Sequence, residues 1–225
     1  VTLRTYKVEQ GTDEWLALRL GMVTASVVGQ LVTPKTVKPA ANETSRGLAT
    51  LLVAERITGF SDPVYVSADM ERGTLDEPYA RALYSERFQT ATKAGFMVRD
   101  DWGFKIGYSP DGLVGRKGLI EIKSRLQKVQ LATILADEVP SENMAQIQCG
   151  LLVSGRAWCD YVSYCGGMPL YVKRVLPDKR WQDAILEAVA ALEDSAIQML
   201  IKYKSATEGM PIANRIDHFA DMEVF

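Results

Sequence analysis

The apolar positions change period several times along the chain, and each change marks an element. Across 43–58, Leu48, Leu51, Leu52 and Ile57 recur at helical spacing and fall mainly on one face, and Gly59 supplies the stop. Residues 12–21 predict a short helix with a Thr or Asp cap and a terminal glycine, and Thr24-Ala25-Ser26 predicts the opening of a second. Residues 74–88 predict a further helix, with Pro78 in its first turn, where a missing N–H is tolerated. Between these, residues 32–42 hold Pro34, Lys35, Lys38 and Pro39 and read as a polar loop, and Val64-Tyr65-Val66 reads as a brief extended piece. The period then shortens: residues 96–99, 104–108, 112–114 and 119–123 read as strands, with Asp101-Trp102-Gly103 as a turn. Residues 127–138 and 141–153 read as helices divided by Pro140; 157–164 and 170–176 read as strands joined by Gly166-Gly167-Met168-Pro169. Residues 178–204 form a long amphipathic pattern. This order predicts an α/β fold, a central mixed β-sheet flanked by helices.

Composition narrows the class. The 225 residues are 47% hydrophobic and 24% charged, which suits a single domain with a core over about 9–177 and a C-terminal helix and tail over 178–225. No apolar run suggests a membrane span, and no secretory signal is visible. Cys149, Cys159 and Cys165 lack a Cys-x-x-Cys spacing, so reduced thiols in a cytoplasmic setting are expected. The one histidine, His218, is placed in a surface tail; alone it argues against His/Cys zinc ligation and against a Ser-His-Asp triad. A net charge of −2 does not advertise nucleic-acid binding, but a locally basic surface can coexist with an acidic exterior.

The chemistry concentrates between positions 109 and 123. Ser109-Pro110-Asp111-Gly112 and Leu119-Ile120-Glu121-Ile122-Lys123 read as a hairpin. Glu121 and Lys123, two apart, share one face, while Ile120 and Ile122 take the other. Two carboxylates and a lysine at one sheet end suit a divalent-metal site for phosphodiester cleavage: oxygen ligands hold a hard cation, and the lysine orients or deprotonates water. Glu77, at a helix start by this reading, either complements the helix dipole or reaches a second metal, and Asp76 competes for that role. Gln146 and Gln148, in Met144-Ala145-Gln146-Ile147-Gln148, are boundary groups or hold water or a phosphate oxygen. Arg19 among Leu16, Leu18 and Leu20 is either solvated or a phosphate clamp. Ser26 is expected at a helix N-terminus, where an anion is favoured.

Taken in order, Glu9-Gln10-Gly11-x-x-x-Trp15-x-x-Leu18-Arg19-Leu20-Gly21-x-x-Thr24-Ala25-Ser26, Gly73-x-x-x-Glu77, Ser109-Pro110-Asp111-Gly112-Leu113, Leu119-Ile120-Glu121-Ile122-Lys123 and Met144-Ala145-Gln146-Ile147-Gln148 resemble the lambda-exonuclease family of viral recombinase nucleases, within the PD-(D/E)xK superfamily. The likeness runs from about 9 to 153 and implies a restriction-endonuclease-like core. It implies a 5′→3′ exonuclease that processively degrades one strand of double-stranded DNA from 5′-phosphorylated ends, leaving a 3′ single strand for recombination. It implies two Mg²⁺ per site, with Mn²⁺ as a substitute. Asp111, Glu121 and the Ile122 carbonyl match the ligands of one ion, Glu77 and Asp111 those of the other. Lys123 matches the water-activating residue, supported by Gln146. Arg19, Ser26 and Ser109 match a 5′-phosphate pocket, and Met70 an apolar wedge between terminal bases. A homotrimeric ring, a single-strand annealing partner and a phage or prophage origin in a bacterial host follow from the family. The resemblance departs over 32–42, where Lys35 and Lys38 are DNA-groove candidates, and at Arg125, which stands where an apolar stretch follows the lysine. Rival readings are an endonuclease of the same superfamily and a non-catalytic DNA-end binding module. An iron–sulfur nuclease is disfavoured, because three cysteines cannot supply four thiolates.

Overall fold

The computed structural model describes residues 2–63 and 65–216; Val64, at the head of the expected extended piece, and His218 lie outside them. Strand β1 (Leu3–Tyr6) leads to helix α1 (Asp13–Arg19). The Thr12 side chain caps α1 by accepting from the Trp15 N–H, and Asp13 and Glu14 sit in the first turn with Arg19 in the last, as the helix dipole favours. The next residues depart from expectation. Val23–Thr24 is strand β2, paired in parallel with a later strand, and the short 3₁₀ turn that follows begins only at Val28. Ser26 is therefore not at a helix start. Two buried β-branched residues extend the backbone there, and the Ala25 N–H prolongs the pairing by donating to Gly107.

The expected polar loop holds a small antiparallel hairpin, β3 (Val32–Thr33) with β4 (Lys38–Pro39), anchored by buried Val32 and exposing Lys35 and Lys38. Helix α2 (Glu43–Thr58) has the expected bounds: Asn42 and Ser45 form a reciprocal capping box, and Gly59 ends it at φ 77°, a conformation only glycine adopts freely. Its buried stripe is Leu48, Ala49, Leu52 and Val53; Leu51 and Ile57, expected on that face, are exposed. Helix α3 (Ala68–Arg87) starts six residues earlier than expected, capped by Ser67, so Pro78 lies in the helix interior. Packing of α3 on the sheet outweighs the lost hydrogen bond at the proline.

The remaining elements follow in order: β5 (Ala91–Thr92), β6 (Phe96–Arg99), β7 (Ile106–Tyr108), β8 (Gly112–Val114), β9 (Gly118–Ser124), α4 (Gln127–Ala136), α5 (Ser141–Ser154), β10 (Trp158–Tyr164), β11 (Tyr171–Val175) and α6 (Lys179–Ala206). Apart from the β3–β4 hairpin, the strands divide between two mixed sheets, β1-β6-β7-β2 and β11-β10-β9-β8-β5, with β9 and β10 parallel and β8 and β9 antiparallel. Strand β9 is buried from Gly118 to Ile122, one face against each layer. Ile120 and Ile122 join Ala80 and Tyr84 of α3, Val114 and Val162 in one apolar cluster. Leu119 joins Cys159, Tyr161 and residues of α2, α5 and α6 in the main core. All three cysteines are buried free thiols. Among the described residues, no helix is long and apolar enough to cross a membrane.

Candidate active site

The β8–β9 register places Gly112 opposite Ile120, which brings Asp111, just outside β8, beside Glu121 and Ile122. Asp111 Oδ2 accepts the Ile122 N–H at 2.6 Å. An extended residue points its N–H and C=O to the same strand edge, so the Ile122 carbonyl shares the edge on which Asp111 lies. Gly112 makes this approach feasible, since a Cβ there would lie 2.8 Å from the Ile120 side chain. Glu121 is completely buried. Its Oε1 accepts from the Lys123 ammonium at 2.8 Å, and its Oε2 has no hydrogen-bond partner. Lys123 also donates to Gln146 Oε1 of α5 at 2.9 Å.

Electrostatics give this cluster its character. Burial pushes the Asp111 carboxyl well above its ordinary range, and the neighbouring charges of Glu121 and Glu77 push it further, against the pull of Lys123 and the Ile122 N–H. Burial alone would lower the Lys123 ammonium; the charges of Glu121 and Asp111 and the Glu121 hydrogen bond outweigh it and leave it raised. Two like-charged carboxylates held together, one with an orphaned buried oxygen, are unfavourable without a counter-cation. The donor set is all oxygen, which suits a hard divalent ion. Among the described residues no three His, Cys, Asp or Glu side chains converge as a cage.

Helix α3 lies across the opening. Glu77 is ion-paired with Arg81, whose Nε donates to the Asp111 carbonyl at 2.9 Å. Asp76 turns elsewhere and accepts from Ser124 Oγ at 2.6 Å, which leaves Glu77 as the α3 carboxylate at the site. A cavity of about 900 Å³ opens above, bordered by Glu77, Arg81 and Asp111, by Trp15 and Leu16, and by Met70, which is half exposed.

A second cluster forms where α1 meets β2 and β7. The Arg19 guanidinium stacks on the Trp15 ring, 3.9 Å from its centre, and donates to Ser26 Oγ at 3.0 Å and Thr24 Oγ1 at 3.3 Å. Trp15 Nε1 donates to Ser109 Oγ at 2.8 Å, two residues from Asp111. Arg19, Ser26 and Ser109 are thus joined through Trp15. Burial lowers the Arg19 guanidinium, with the charge of Glu55 opposing. Gln148 does not reach the site: fully buried, it bonds the Leu176 carbonyl and the Asp178 N–H and so secures the start of α6. Lys35 and Lys38 stand exposed on their hairpin and do not line the cavity. Arg125 is engaged by Asn143 and Tyr161. Sequence reasoning missed Arg81, Trp15 and Thr24 as site residues. The i,i+4 relation of Glu77 and Arg81 was the available signal for the first; Trp15 and Thr24 lie in the N-terminal motif block but have no chemistry that announces a site.

Residues 14–157 match the model of the YqaJ-like viral recombinase domain. The fold is similar to that of the alkaline exonuclease LHK-Exo from Laribacter hongkongensis, at 32% identity and a TM-score of 0.74, over 88% of this chain and all of that one. A structure of LHK-Exo in complex with dAMP gives 31% identity and a TM-score of 0.78, over 89% of this chain and all of that one. A phage-related exonuclease from Haemophilus somnus 129PT shares the fold at 14% identity, with a TM-score of 0.60 over 81% of this chain and 96% of that one. No curated protein matches the chain in sequence. The α/β architecture is restriction-endonuclease-like, and its match to both a recombinase family and an exonuclease of full corresponding length leads to one conclusion: the chain belongs to the YqaJ-like viral recombinase family and is a nuclease.

Proposed function

We propose that the protein is a Mg²⁺-dependent 5′→3′ exodeoxyribonuclease that digests one strand of duplex DNA from a 5′-phosphorylated end. The observation that carries the reading is the buried Glu121 oxygen without a protein partner, set beside Asp111 and next to the Lys123 ammonium. Asp111, Glu121 and the Ile122 carbonyl would hold one divalent ion, and Glu77 with Asp111 a second; Mn²⁺ is expected to substitute. Bound there, such ions make water more acidic and neutralise charge on the leaving 3′-oxygen. Lys123, kept charged by Glu121 and oriented by Gln146, donates a hydrogen bond to the attacking water or to a phosphate oxygen. Arg19, Ser26 and Ser109 hold the terminal 5′-phosphate, with Thr24 and Trp15 orienting them. Each cleavage then presents a new 5′-phosphate to the same pocket, which sets direction. Met70, on the cavity wall, separates the terminal bases. The dAMP seen bound to LHK-Exo supports release of 5′-mononucleotides here.

Processivity would follow from a homotrimeric ring around the duplex, with a single-strand annealing protein taking up the exposed 3′ strand in the bacterial cytoplasm; the match to a viral recombinase domain supports the role in recombination. The test compares linear 5′-phosphorylated, linear 5′-hydroxyl and closed circular duplexes with Mg²⁺. Wild type should release mononucleotides from the first fastest and leave circles intact; digestion of circles would favour the endonuclease reading. Asp111→Ala should abolish release with the fold retained, and release at the wild-type rate would refute the metal assignment. Arg19→Ala should slow digestion mainly on 5′-phosphorylated ends.

A further inference from the structure

Arg81 is buried, and its guanidinium is divided between two partners that both belong to the catalytic floor. Its Nη2 is ion-paired with Glu77, four residues earlier on α3, and its Nε donates to the backbone carbonyl of Asp111. The first partner is a side chain on a helix, and the second is the turn between β7 and β8. Arg81 thus links those two elements at the cavity, and the proposed second cation would have to sit between them.

We infer that Arg81 is a positioning residue that fixes the gap between Glu77 and the Asp111 turn and so presets the second divalent-cation site; this rests on the metal-nuclease reading above. The chemistry of the side chain suits that task. A guanidinium is a rigid planar fork, so its two bonds hold their acceptors at a set separation, as a flexible ammonium cannot. The Glu77–Arg81 spacing puts both groups on one helix face, so the fork rides on a rigid element. Pairing takes up Glu77 Oε1 and leaves Oε2 for a cation, and Glu77 lines the cavity. Arg81 also sets a positive charge directly against Glu77 at the cavity, on the side of Asp111 where α3 lies. Hydrogen-bonded supports behind metal-binding carboxylates commonly change metal affinity about ten- to hundredfold when removed.

The experiment titrates Mn²⁺ alone, without DNA, into the full-length protein by calorimetry, using wild type, Arg81→Gln, Glu77→Gln and the double variant. Arg81→Gln should weaken Mn²⁺ binding about ten- to hundredfold, and the double variant should bind no more weakly than the poorer single one. Unchanged affinity in Arg81→Gln, or losses that multiply in the double variant, would overturn the assignment. Arg81→Lys keeps the charge but not the fork and should recover only part of the affinity. If circular dichroism shows that Arg81→Gln does not fold, the lysine variant decides: wild-type affinity there overturns the role. Wild type that binds no Mn²⁺ overturns the metal reading as well, so the two failures are distinct.

Discussion

Asp111 concentrates the tension of the site. Its carboxyl is held above its ordinary value of 3.8 by burial first, then by Glu121 and Glu77. An acid raised on folding contributes stability that is fully present below its unfolded pKa and is lost as pH rises through the folded one. In chelator, wild type should therefore lose stability relative to Asp111→Asn as pH climbs above about 4, and the two should run parallel below it. Asparagine keeps an acceptor for the Ile122 N–H, so the comparison isolates the charge. Melting curves at several pH values check this, and Mg²⁺ at a hundredfold excess over its Kd should restore wild type by about 2.7 kcal/mol. At this scale the sequence was legible where chemistry broke a pattern. Glu121 and Lys123 stand out because they interrupt an apolar strand, and the strand does bury Glu121. By helix position alone Glu77 and Asp76 could not be told apart, because which of two adjacent residues faces the site depends on how the helix is rotated; only the family resemblance favoured Glu77. The i,i+4 spacing of Glu77 and Arg81 hinted at their pairing, but the second acceptor of Arg81, a backbone carbonyl thirty residues away, had no local signal.

The elements were legible in proportion to their length. Helix α2 and helix α5 carry caps and breakers that local chemistry can read. The two-residue strands β2 through β5 exist only through their partners, and no period is visible in two residues. Helix α3 misled because Pro78 resembles a start signal, whereas Ser67 is the cap. Helix α5 is the element on which site and core meet: it supplies Gln146 to Lys123 and packs Gly150 beneath the Tyr108 ring. A Cβ at Gly150 would lie 2.6 Å from Tyr108 Cζ. Gly150→Ala should thus destabilise the fold by about 1–3 kcal/mol from overpacking, despite a helix-propensity gain of up to about 1 kcal/mol. Urea unfolding measures the loss. Nuclease activity should fall as well, because the helix that orients Lys123 is displaced.

For the molecule as a whole, fold class followed from the order of helices and strands, while the division into two sheets did not, since strand order depends on distant pairing. A chain with net charge −2 must hold DNA through local basic groups and repeated contact. If three copies encircle the duplex, solution mass should be three times that of the chain. Digestion under limiting enzyme should then weaken with salt at a logarithmic slope of about −0.9 per phosphate contacted. A monomeric mass with full processivity would refute the ring. The burial of Cys149, Cys159 and Cys165 has a kinetic corollary. A thiol reagent can reach the fully buried sulfurs of Cys149 and Cys159 only when the packing around α5 and β10 opens, so their alkylation reports the lifetime of the closed fold rather than surface reactivity. The protein thereby carries its own stopwatch, and divalent ions that bind the carboxylates should slow it.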